Sequence, residues 1–351
     1  MDYKLPENRT WPQDGLEKIA CCPICRGAER KLLYDGLTDK TFFCAPGRWS
    51  LYQCCSCGTA YLDPRPTQAT LAMAYSTYYT HEERDNASKG LVAHLKLRLR
   101  NGYLNSRYNS DLTPSFKAGR WVAPLFIHKR MQIDDNVRHL PTTPGILVDI
   151  GCGNGQYLHI AKKLGWETWG VELDPKAAET ARNSGAKIIM GGFPDTGLPS
   201  QHFDVVTLSH VIEHVHNPIA ALQEVFRVLK PGGQVWISTP NLDSLGHARF
   251  GSNWRGLEPP RHLVLFTLGS LRKALIGARF RDVVHKPCLP QALWFYQCSL
   301  RIARGEDPNV ATVTTMPLAL QAVARFADLR AVITQSGCET IVLTAKKPES
   351  A

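Results

Sequence analysis

The chain has 351 residues and a net charge of +10, and its 44% hydrophobic and 21% charged residues are typical of a globular protein. Its apolar runs stay well short of the roughly 20 residues that a membrane-spanning helix needs, and its N-terminus lacks the apolar core of a secretory signal. We therefore expect neither a membrane-spanning nor a secreted protein but a cytoplasmic one, in which disulfides are rare.

Cysteines are concentrated near the start of the chain, where seven of the eleven lie between Cys21 and Cys57. Two C-x2-C pairs, Cys22-Pro-Ile-Cys25 and Cys54-Cys-Ser-Cys57, are separated by 28 residues. In a reducing compartment such pairs indicate metal binding, and four thiolates complete a closed tetrahedral zinc site of the structural kind. A redox pair and cysteines buried for packing are the alternatives.

The metal ligands within this segment are open to more than one choice. Cys21 and Cys55 adjoin the two pairs, and Cys44 lies between them. We predict a zinc-ribbon-like module over residues 1–66 in which structural Zn²⁺ is bound by Cys22, Cys25, Cys54 and Cys57.

A basic segment follows the module. Residues 67–144 have a mostly helical pattern, and residues 89–138 contain ten Lys or Arg against three Asp or Glu. Such a segment can contact an anionic membrane surface, nucleic acid or a phosphorylated substrate, or it can be a solvated helical face. We predict a basic helical linker or cap that ends at the Pro- and Gly-containing break over residues 141–145.

Strand and helix patterns alternate after this break. Strands are predicted over residues 146–150, 168–173, 187–190, 203–209 and 234–238, with a turn at 231–233. Helices are predicted over 156–164, 175–184, 218–229 and 268–277, and helix-like apolar stretches over 291–303 and 317–333. This alternation predicts an α/β fold with a mainly parallel sheet.

The first strand of this series leads into a glycine-rich turn. Asp149 precedes glycines at 151, 153 and 155, and Gln156 stands where a dinucleotide fingerprint has its third glycine. A carboxylate here would repel a pyrophosphate but suits an ammonium or sulfonium group. Glu172, 21 residues after Gly151, could accept hydrogen bonds from two ribose hydroxyls. These features favour S-adenosylmethionine as the cofactor.

Four motifs resemble the successive motifs of class I S-adenosylmethionine-dependent methyltransferases, in their order and spacing. They are residues 148–155 (Val-Asp-Ile-Gly-Cys-Gly-Asn-Gly), 170–172 (Gly-Val-Glu), 203–214 and 229–233 (Leu-Lys-Pro-Gly-Gly). The resemblance implies a Rossmann-like, seven-stranded, mainly parallel sheet over residues 145–351, with a strand at 339–345 and a helical insertion at about 288–338.

The resemblance also implies the cofactor-binding residues. Asp149 and Gly151 would face the methionine part, Glu172 the ribose, and Phe193 could stack on adenine in place of the acid often found there. The full set is Asp149, Gly151, Cys152, Gly153, Gly155, Tyr157, Glu172, Leu173, Gly192, Phe193, Ser209 and His210. The alternative is a Rossmann-like core without a cofactor.

Three histidines are candidates for catalysis. On one helical turn His210, Glu213 and His214 would share a face, where they could supply a general base or bind a divalent cation. His214 could instead be a packing residue. Residues 253–263 contain His262, a further candidate base, on a Pro-braced loop that we expect to be an acceptor-binding lid; a surface loop is the alternative.

An N-terminal zinc module joined to a class I domain resembles bacterial sugar and natural-product methyltransferases. The resemblance implies methyl transfer to a small-molecule, sugar or lipid-linked acceptor, with a hydroxyl oxygen favoured, and peripheral contact with an anionic membrane is a further hypothesis. The alternatives are an RNA or protein methyltransferase and a non-catalytic module that binds the cofactor or serves as a scaffold. Nucleic acid is the less favoured partner.

Overall fold

The computed structural model describes residues 10–75, 90–183, 185–310 and 316–349. The chain divides into two compact units, each built from three stretches. The first unit comprises Met1–Tyr78, His210–Gln223 and Ile237–Leu343, and the second comprises Tyr79–Ser209, Glu224–Trp236 and Thr344–Ala351. The domain bounds near residues 66 and 144 stay predictions.

The N-terminal region of the first unit is built from short strands. These are β1 (Leu16–Glu17), β2 (Arg30–Leu37), β3 (Trp49–Cys54), β4 (Ala60–Leu62) and β5 (Arg65–Pro66). β1 pairs with β5, and β2, β3 and β4 pair antiparallel in sequence order. A fourth strand, Val264–Leu265, pairs with β4 from just over 200 residues further along the chain, so the cysteine-containing region shares a sheet with later sequence.

The larger sheet has seven strands, as the sequence predicts. They are β6 (Ile146–Ile150), β7 (Glu167–Glu172), β8 (Lys187–Met190), β9 (Phe203–Ser209), β10 (Leu229–Pro240), β12 (Arg281–His285) and β13 (Thr340–Lys346). The label β11 is given to Val264–Leu265, the strand that belongs to the N-terminal sheet. Their order is β12-β13-β10-β9-β6-β7-β8, and β6 pairs parallel with both β7 and β9. The strand order therefore reverses at β6, and ligands bind beyond the carboxyl ends of the strands at such a switch point.

Two details of this sheet correct the sequence analysis. The turn predicted at residues 231–233 is wrong, because β10 already begins at Leu229. Its backbone is paired there: the Gly232 N–H donates to the Lys347 carbonyl at 3.0 Å, and the Lys347 N–H donates to the Gly233 carbonyl at 2.9 Å. β12 was not predicted, because this strand is mostly exposed and has no strong apolar pattern.

The helices of the basic segment are α1 (Leu91–Tyr108), α2 (Gly119–Leu125) and α3 (Ile127–Asn136); residues 76–89 lie outside the described residues. The remaining helices are α4 (Gln156–Lys163), α5 (Pro175–Asn183), α6 (Pro218–Val228), α7 (Leu245–Phe250), α8 (Leu268–Gly277), α9 (Ala292–Arg304) and α10 (Leu318–Thr334). α9 and α10 lie in the predicted helical insertion. Within the described ranges, none of the helices has the length and hydropathy needed to span a bilayer.

Candidate functional site

The glycine-rich turn, residues 151–155, joins β6 to α4 in the second unit. Gly151, Gly153 and Gly155 have φ angles of +68°, +55° and +77°, a region that disfavours residues with a Cβ. The turn is held at the sheet because the Gly151 and Cys152 N–H groups both donate to the Val171 carbonyl, at 2.8 and 3.1 Å. α4 begins at Gln156, so its N-terminus lies directly after the turn.

Asp149 lies fully buried beneath this turn and has a cationic partner that the sequence analysis missed. Its Oδ1 accepts hydrogen bonds from the Arg138 guanidinium and from the Thr207 hydroxyl, the latter at 2.8 Å. Burial raises the pKa of the Asp149 carboxyl, and the nearby Arg138 opposes this change. The Arg138 guanidinium also lies 3.7 Å from the centroid of the Tyr157 ring.

The Arg138 pair changes how Asp149 can act. An isolated carboxylate was expected to attract the cofactor's ammonium or sulfonium group, but Arg138 already compensates this charge. Asp149 Oδ2 has no hydrogen-bond partner within the described part of the chain, so one buried acceptor stays available to a ligand. No pattern in the sequence indicated Arg138, which lies 11 residues before Asp149 just after α3.

Glu172, at the end of β7, is fixed by backbone amides. Its Oε2 accepts from the Gly153 N–H at 2.8 Å, and its Oε1 accepts from the N–H groups of Leu173 and Asp174 at 2.8 and 2.9 Å. A carboxylate oxygen has two lone pairs, so Oε2 has one left for a ribose hydroxyl. A second hydroxyl would have to displace a backbone N–H from Oε1.

The remaining predicted cofactor residues of the second unit differ in exposure. Leu173 is 69% exposed, Gly192 is exposed, and Phe193 and Ser209 are half-buried, whereas Cys152 and Tyr157 are buried. The turn, the free Oδ2 of Asp149, the fixed Glu172 and the exposed Leu173 together fit a nucleoside with a charged amino-acid tail. The individual roles of these residues stay predictions.

The first unit contains the cysteine cluster: Cys22, Cys25, Cys54 and Cys57, whose four Sγ atoms lie within 4.8 Å of one another. Cys21, Cys44 and Cys55 do not belong to this group. The Sγ–Sγ distances Cys22–Cys57 and Cys25–Cys54 are both 3.5 Å. Four sulfurs at about 2.3 Å from a tetrahedral Zn²⁺ would be separated by roughly 3.8 Å, so the donor set fits this ion.

Both halves of the cysteine cluster have the same backbone geometry. The N–H groups of Cys22 and Cys54 donate to the carbonyls of Gly27 and Thr59, each at 2.9 Å. The carbonyls of the same two cysteines accept from the residues four positions later, Arg26 and Gly58, each at 3.0 Å. Each C-x2-C pair is therefore a tight turn that directs two sulfurs to one point.

A cavity of about 530 Å³ in the first unit is lined by His210, His214 and His262. Its other lining side chains include Arg255 and Glu258, which form an ion pair, and the aromatic rings of Trp294 and Phe295. The size is typical of a small-molecule site, and the combination of aromatic and polar groups can both bury and orient a ligand.

A buried carboxylate lies behind these histidines. Glu213 is fully buried; its Oε1 lies 3.2 Å from His210 Nδ1, and its Oε2 accepts from the Thr239 hydroxyl at 3.0 Å. Burial alone would raise the pKa of Glu213, but the hydrogen bond and positive charge of His210 lower it to about 2. A carboxylate only accepts, so Nδ1 of His210 carries the proton in this hydrogen bond and Nε2 is the ring nitrogen that can exchange a proton with a ligand.

The other two histidines are oriented by backbone carbonyls. His214 Nδ1 lies 3.0 Å from the Arg261 carbonyl, and His262 Nδ1 lies 2.8 Å from the Gly256 carbonyl. A carbonyl only accepts, so Nδ1 of His262 carries the proton and its Nε2 can accept a proton or bind a metal ion. Nδ1 of His214 also lies 3.0 Å from the Tyr75 hydroxyl, so this nitrogen can either donate to the carbonyl or accept from the hydroxyl. Burial lowers the pKa of both histidines, which favours neutral rings.

We call His210, Glu213, His214 and His262 the histidine cluster. The sequence placed His210, Glu213 and His214 on one face; the structure additionally brings in His262, whose ligand atom lies within 4.8 Å of those of Glu213 and His214. The cluster can therefore act as a hydrogen-bonded His210–Glu213 base or as a Glu-His-His cation site.

The loop over residues 253–263, predicted to be an acceptor-binding lid, is buried rather than a surface loop, and its contact with an acceptor stays a prediction. Trp254 is buried and its Nε1 donates to Glu339 Oε2 at 2.9 Å. Arg261 is fully buried and donates to both carboxylate oxygens of Asp39, at 2.5 and 3.1 Å. These long-range partners make the loop a packed wall, from which Arg255, Glu258 and His262 line the cavity.

The structure also brings together a group that the sequence analysis did not single out. The ligand atoms of His285, Cys288 and Cys338 lie within 4.8 Å of one another, and both cysteines are buried. Cys288 and Cys338 stand at the two ends of the predicted insertion. Their separation of 50 residues gave no local motif that could have revealed them.

Comparison with known proteins identifies relatives of the segment that contains the glycine-rich turn. Residues 126–285 match the family described as "Methyltransferase domain". The chain is 30% identical over 136 residues to a malonyl-[acyl-carrier protein] O-methyltransferase of Serratia marcescens, covering 38% of this chain and 52% of that protein. It is also 30% identical over 138 residues to a ubiquinone biosynthesis O-methyltransferase of Aromatoleum aromaticum, covering 37% and 56%.

The chain thus spans about half the length of the curated relatives that it matches. Among solved structures, phosphoethanolamine N-methyltransferase 2 of Haemonchus contortus, in complex with S-adenosyl-L-methionine, is similar with a TM-score of 0.44 and 16% identity. That similarity covers 82% of this chain and 63% of the other.

Proposed function

Because residues 126–285 match a methyltransferase domain and belong to a seven-stranded Rossmann-like sheet, we propose that this chain transfers a methyl group from S-adenosylmethionine to a hydroxyl oxygen of a small-molecule acceptor. A sugar, polyketide, quinone-type or lipid-linked hydroxyl fits this class. The observation that carries the proposal is the histidine cluster: three imidazoles line a cavity of about 530 Å³, and one of them, His210, is hydrogen-bonded to the buried Glu213 carboxylate.

On the cofactor side, the glycine-rich turn and Glu172 would bind the amino-acid and ribose parts. S-adenosylmethionine, when bound, supplies an electrophilic methyl group on a sulfonium centre. Asp149 Oδ2, buried and without a partner among the described residues, would accept one hydrogen bond from the ligand. Arg138 would keep the net charge at this position near zero, so the turn binds mainly through shape and hydrogen bonds.

On the acceptor side, His210 would act as the general base. Its Nε2 would take the proton from the acceptor hydroxyl, and the Glu213 carboxylate on Nδ1 would stabilise the imidazolium that forms. His210 directly follows Ser209, the last residue of β9, in the chain. Trp294, Phe295 and Arg255 would orient the acceptor, and such alignment contributes on the order of 7–11 kcal/mol in favourable cases.

The cysteine cluster would bind one structural Zn²⁺. Four thiolates fill the coordination sphere of the ion, so the metal would stabilise the fold around it and leave no position for an acceptor. The site is linked to the cavity wall, because β4 of the N-terminal sheet pairs with β11, which begins two residues after His262.

Incubation with S-adenosylmethionine labelled in its methyl group tests the proposal. Small-molecule, RNA and protein fractions of an extract of the source cells serve as separate acceptor pools. We expect label in the small-molecule fraction, with retention on a mild base wash that removes carboxyl methyl esters. Label confined to RNA or to protein would replace the proposal by one of those acceptors. If calorimetry shows that the folded protein does not bind S-adenosylmethionine, the proposal is wrong and the chain is a non-catalytic scaffold.

A further inference from the structure

The basic segment contains a close contact between α1 and α2. A Cβ on Gly102 would lie 1.8 Å from the Phe116 carbonyl oxygen, and a Cβ on Gly119 would lie 2.0 Å from the Leu99 carbonyl oxygen. Such short distances mean that only glycine fits at both positions. The two helices therefore pack backbone to backbone, which fixes the direction in which the chain leaves α2.

The chain then passes from α2 into α3 through an apolar corner, residues 119–130. Trp121 is 66% exposed, Leu125 80%, Phe126 61% and Ile127 54%. The buried side of the same stretch is supplied by Ala123. Single exposed apolar side chains are common, but four large ones within seven residues form a patch that usually marks a binding surface.

The charge around this corner is mainly positive. Residues 90–130 contain eight Lys or Arg and one acid, Asp111. Two of the cations lie on exposed rings: the Arg120 guanidinium is 4.3 Å from the centroid of Trp121, and that of Arg98 is 4.8 Å from Phe116. The corner is therefore an apolar tip within a cationic surface.

We propose that the apolar corner inserts into the headgroup region of an anionic lipid bilayer, with the surrounding Lys and Arg side chains on the lipid phosphates. Trp and Phe at the interface, aliphatic side chains below it and cations beside it are the arrangement of peripheral membrane anchors. Nucleic acid would use the cations and could stack on Trp121, but it gives no partner to Leu125 and Ile127. The corner stands apart from the proposed methyl transfer, which needs none of its residues.

Vesicle sedimentation of the full chain tests the corner. Vesicles of phosphatidylcholine alone are compared with vesicles that contain about one third phosphatidylglycerol, at ionic strengths of about 0.05 and 0.5 M, because salt screens surface charge. We expect binding to the anionic vesicles at low salt and at least about tenfold weaker binding at high salt or without phosphatidylglycerol.

Two sets of variants separate the apolar and cationic parts. Leu125→Ser with Phe126→Ser should weaken binding to anionic vesicles at least about tenfold, since two large apolar side chains leave the lipid. Lys117→Gln with Lys129→Gln should weaken it severalfold and reduce its salt dependence. Ile276→Ser on α8, a site that is 50% exposed, is the matched control and should bind like the wild type.

Fluorescence gives a second readout at the corner itself. Lipids brominated near the headgroup should quench part of the tryptophan emission on binding, and Trp121→Phe should remove that part. Circular dichroism melting identifies any variant that fails to fold, and quenching in wild-type protein needs no variant at all.

Several outcomes would overturn the proposal. The proposal is wrong if the wild-type chain does not sediment with anionic vesicles. It is also wrong if the Leu125→Ser, Phe126→Ser variant binds these vesicles as tightly as the wild type. Binding of homopolymer RNA that is lost in the lysine variant, with no vesicle binding, would assign the surface to nucleic acid. A dimer that the Leu125→Ser, Phe126→Ser variant abolishes, again without vesicle binding, would assign it to self-association. Each result is independent of methyl transfer, so neither proposal fails with the other.

Discussion

The glycine-rich turn and the histidine cluster are built by different means. At the turn, backbone N–H groups fix Glu172 and the Val171 carbonyl, and positive φ angles at three glycines shape the surface. In the histidine cluster, the supports come from further apart in the chain: the Glu213 carboxylate orients His210, and the backbone carbonyls of Arg261 and Gly256 orient His214 and His262. The turn therefore depends on one short stretch of chain, whereas the cluster depends on segments about 50 residues apart.

This difference suggests that damage to the N-terminal region should affect the histidine cluster and spare the turn. The N-terminal region and the cluster belong to one compact unit, and the turn belongs to the other. Tyr75 illustrates the connection, because its hydroxyl lies 3.0 Å from His214 Nδ1. Variants in the N-terminal region and at the turn should therefore have separate effects.

The largest effect is expected at the cysteine cluster. Cys54→Ser should reduce the zinc content from about one ion per chain to almost none and lower the Tm by at least about 10 °C, because metal binding and folding are linked. Cys55→Ser, an exposed neighbour outside the cluster, is the matched control and should keep both. Zinc content is measured by atomic absorption and Tm by calorimetry; folded, metal-free wild-type protein would contradict the assignment.

The next largest effect is expected at the Asp39–Arg261 pair, where both side chains are fully buried. Burial raises the pKa of Asp39, but its hydrogen bond and ion pair with Arg261 outweigh this and hold the pKa below its usual value. Arg261→Met leaves the buried carboxylate with its backbone N–H donors but without a countercharge, and should lower the free energy of unfolding by about 3–5 kcal/mol.

Adding Asp39→Asn to Arg261→Met should recover part of this loss, which urea unfolding would measure. An Arg261→Met variant as stable as the wild type would mean that the loop over residues 253–263 is not held from the N-terminal region.

A smaller effect is expected at the turn. Glu172→Gln should weaken S-adenosylmethionine binding about 10- to 100-fold, since hydrogen bonds to a charged acceptor contribute about 1.5–3 kcal/mol. Glu167→Gln, an exposed carboxylate at the other end of β7, should bind like the wild type. Titration calorimetry compares the two variants, and equal affinities would remove Glu172 from the cofactor site.

The smallest effect is the dependence of stability on pH. Burial lowers the pKa of His214 and His262 in the folded chain. At a pH just below their ordinary pKa, both rings therefore stay neutral in the folded chain but begin to protonate in the unfolded chain. Their contribution is complete above pH about 6.5 and is lost below it, by about 1.4 kcal/mol per pH unit for each ring.

Glu339 opposes this trend. Burial raises its pKa to about 7, so its contribution to stability grows as the pH falls from about 7 to 4.5. Glu339→Gln should therefore make the loss of stability between pH 6.5 and 5.5 steeper than in the wild type, as followed by thermal melting. A flatter curve in this variant would contradict the assigned signs.

The sequence was sufficient for the parts whose signal is local. The residues of the turn lie within 24 positions, Asp149 to Glu172, and each C-x2-C pair spans four, so spacing alone indicated them. Arg138, Arg261 and Tyr75 were missed as partners because their functions arise only from long-range packing. His262 was predicted as a candidate base from its residue type alone. Its proximity to Glu213 could not be predicted, because the two residues are about 50 positions apart in the chain.

Substitution of the proposed general base, His210, separates cofactor binding from methyl transfer. Since His210 is also one of the predicted cofactor-binding residues, His210→Gln should weaken S-adenosylmethionine binding by at most about tenfold, the contribution of one hydrogen bond. Transfer of labelled methyl to the small-molecule fraction at saturating cofactor should fall far more, about 10²- to 10⁴-fold, the usual contribution of a general base. The Leu293→Gln substitution, a partly exposed position on α9, serves as the control. A His210→Gln variant that transfers methyl groups as fast as the wild type would show that His210 is not the general base.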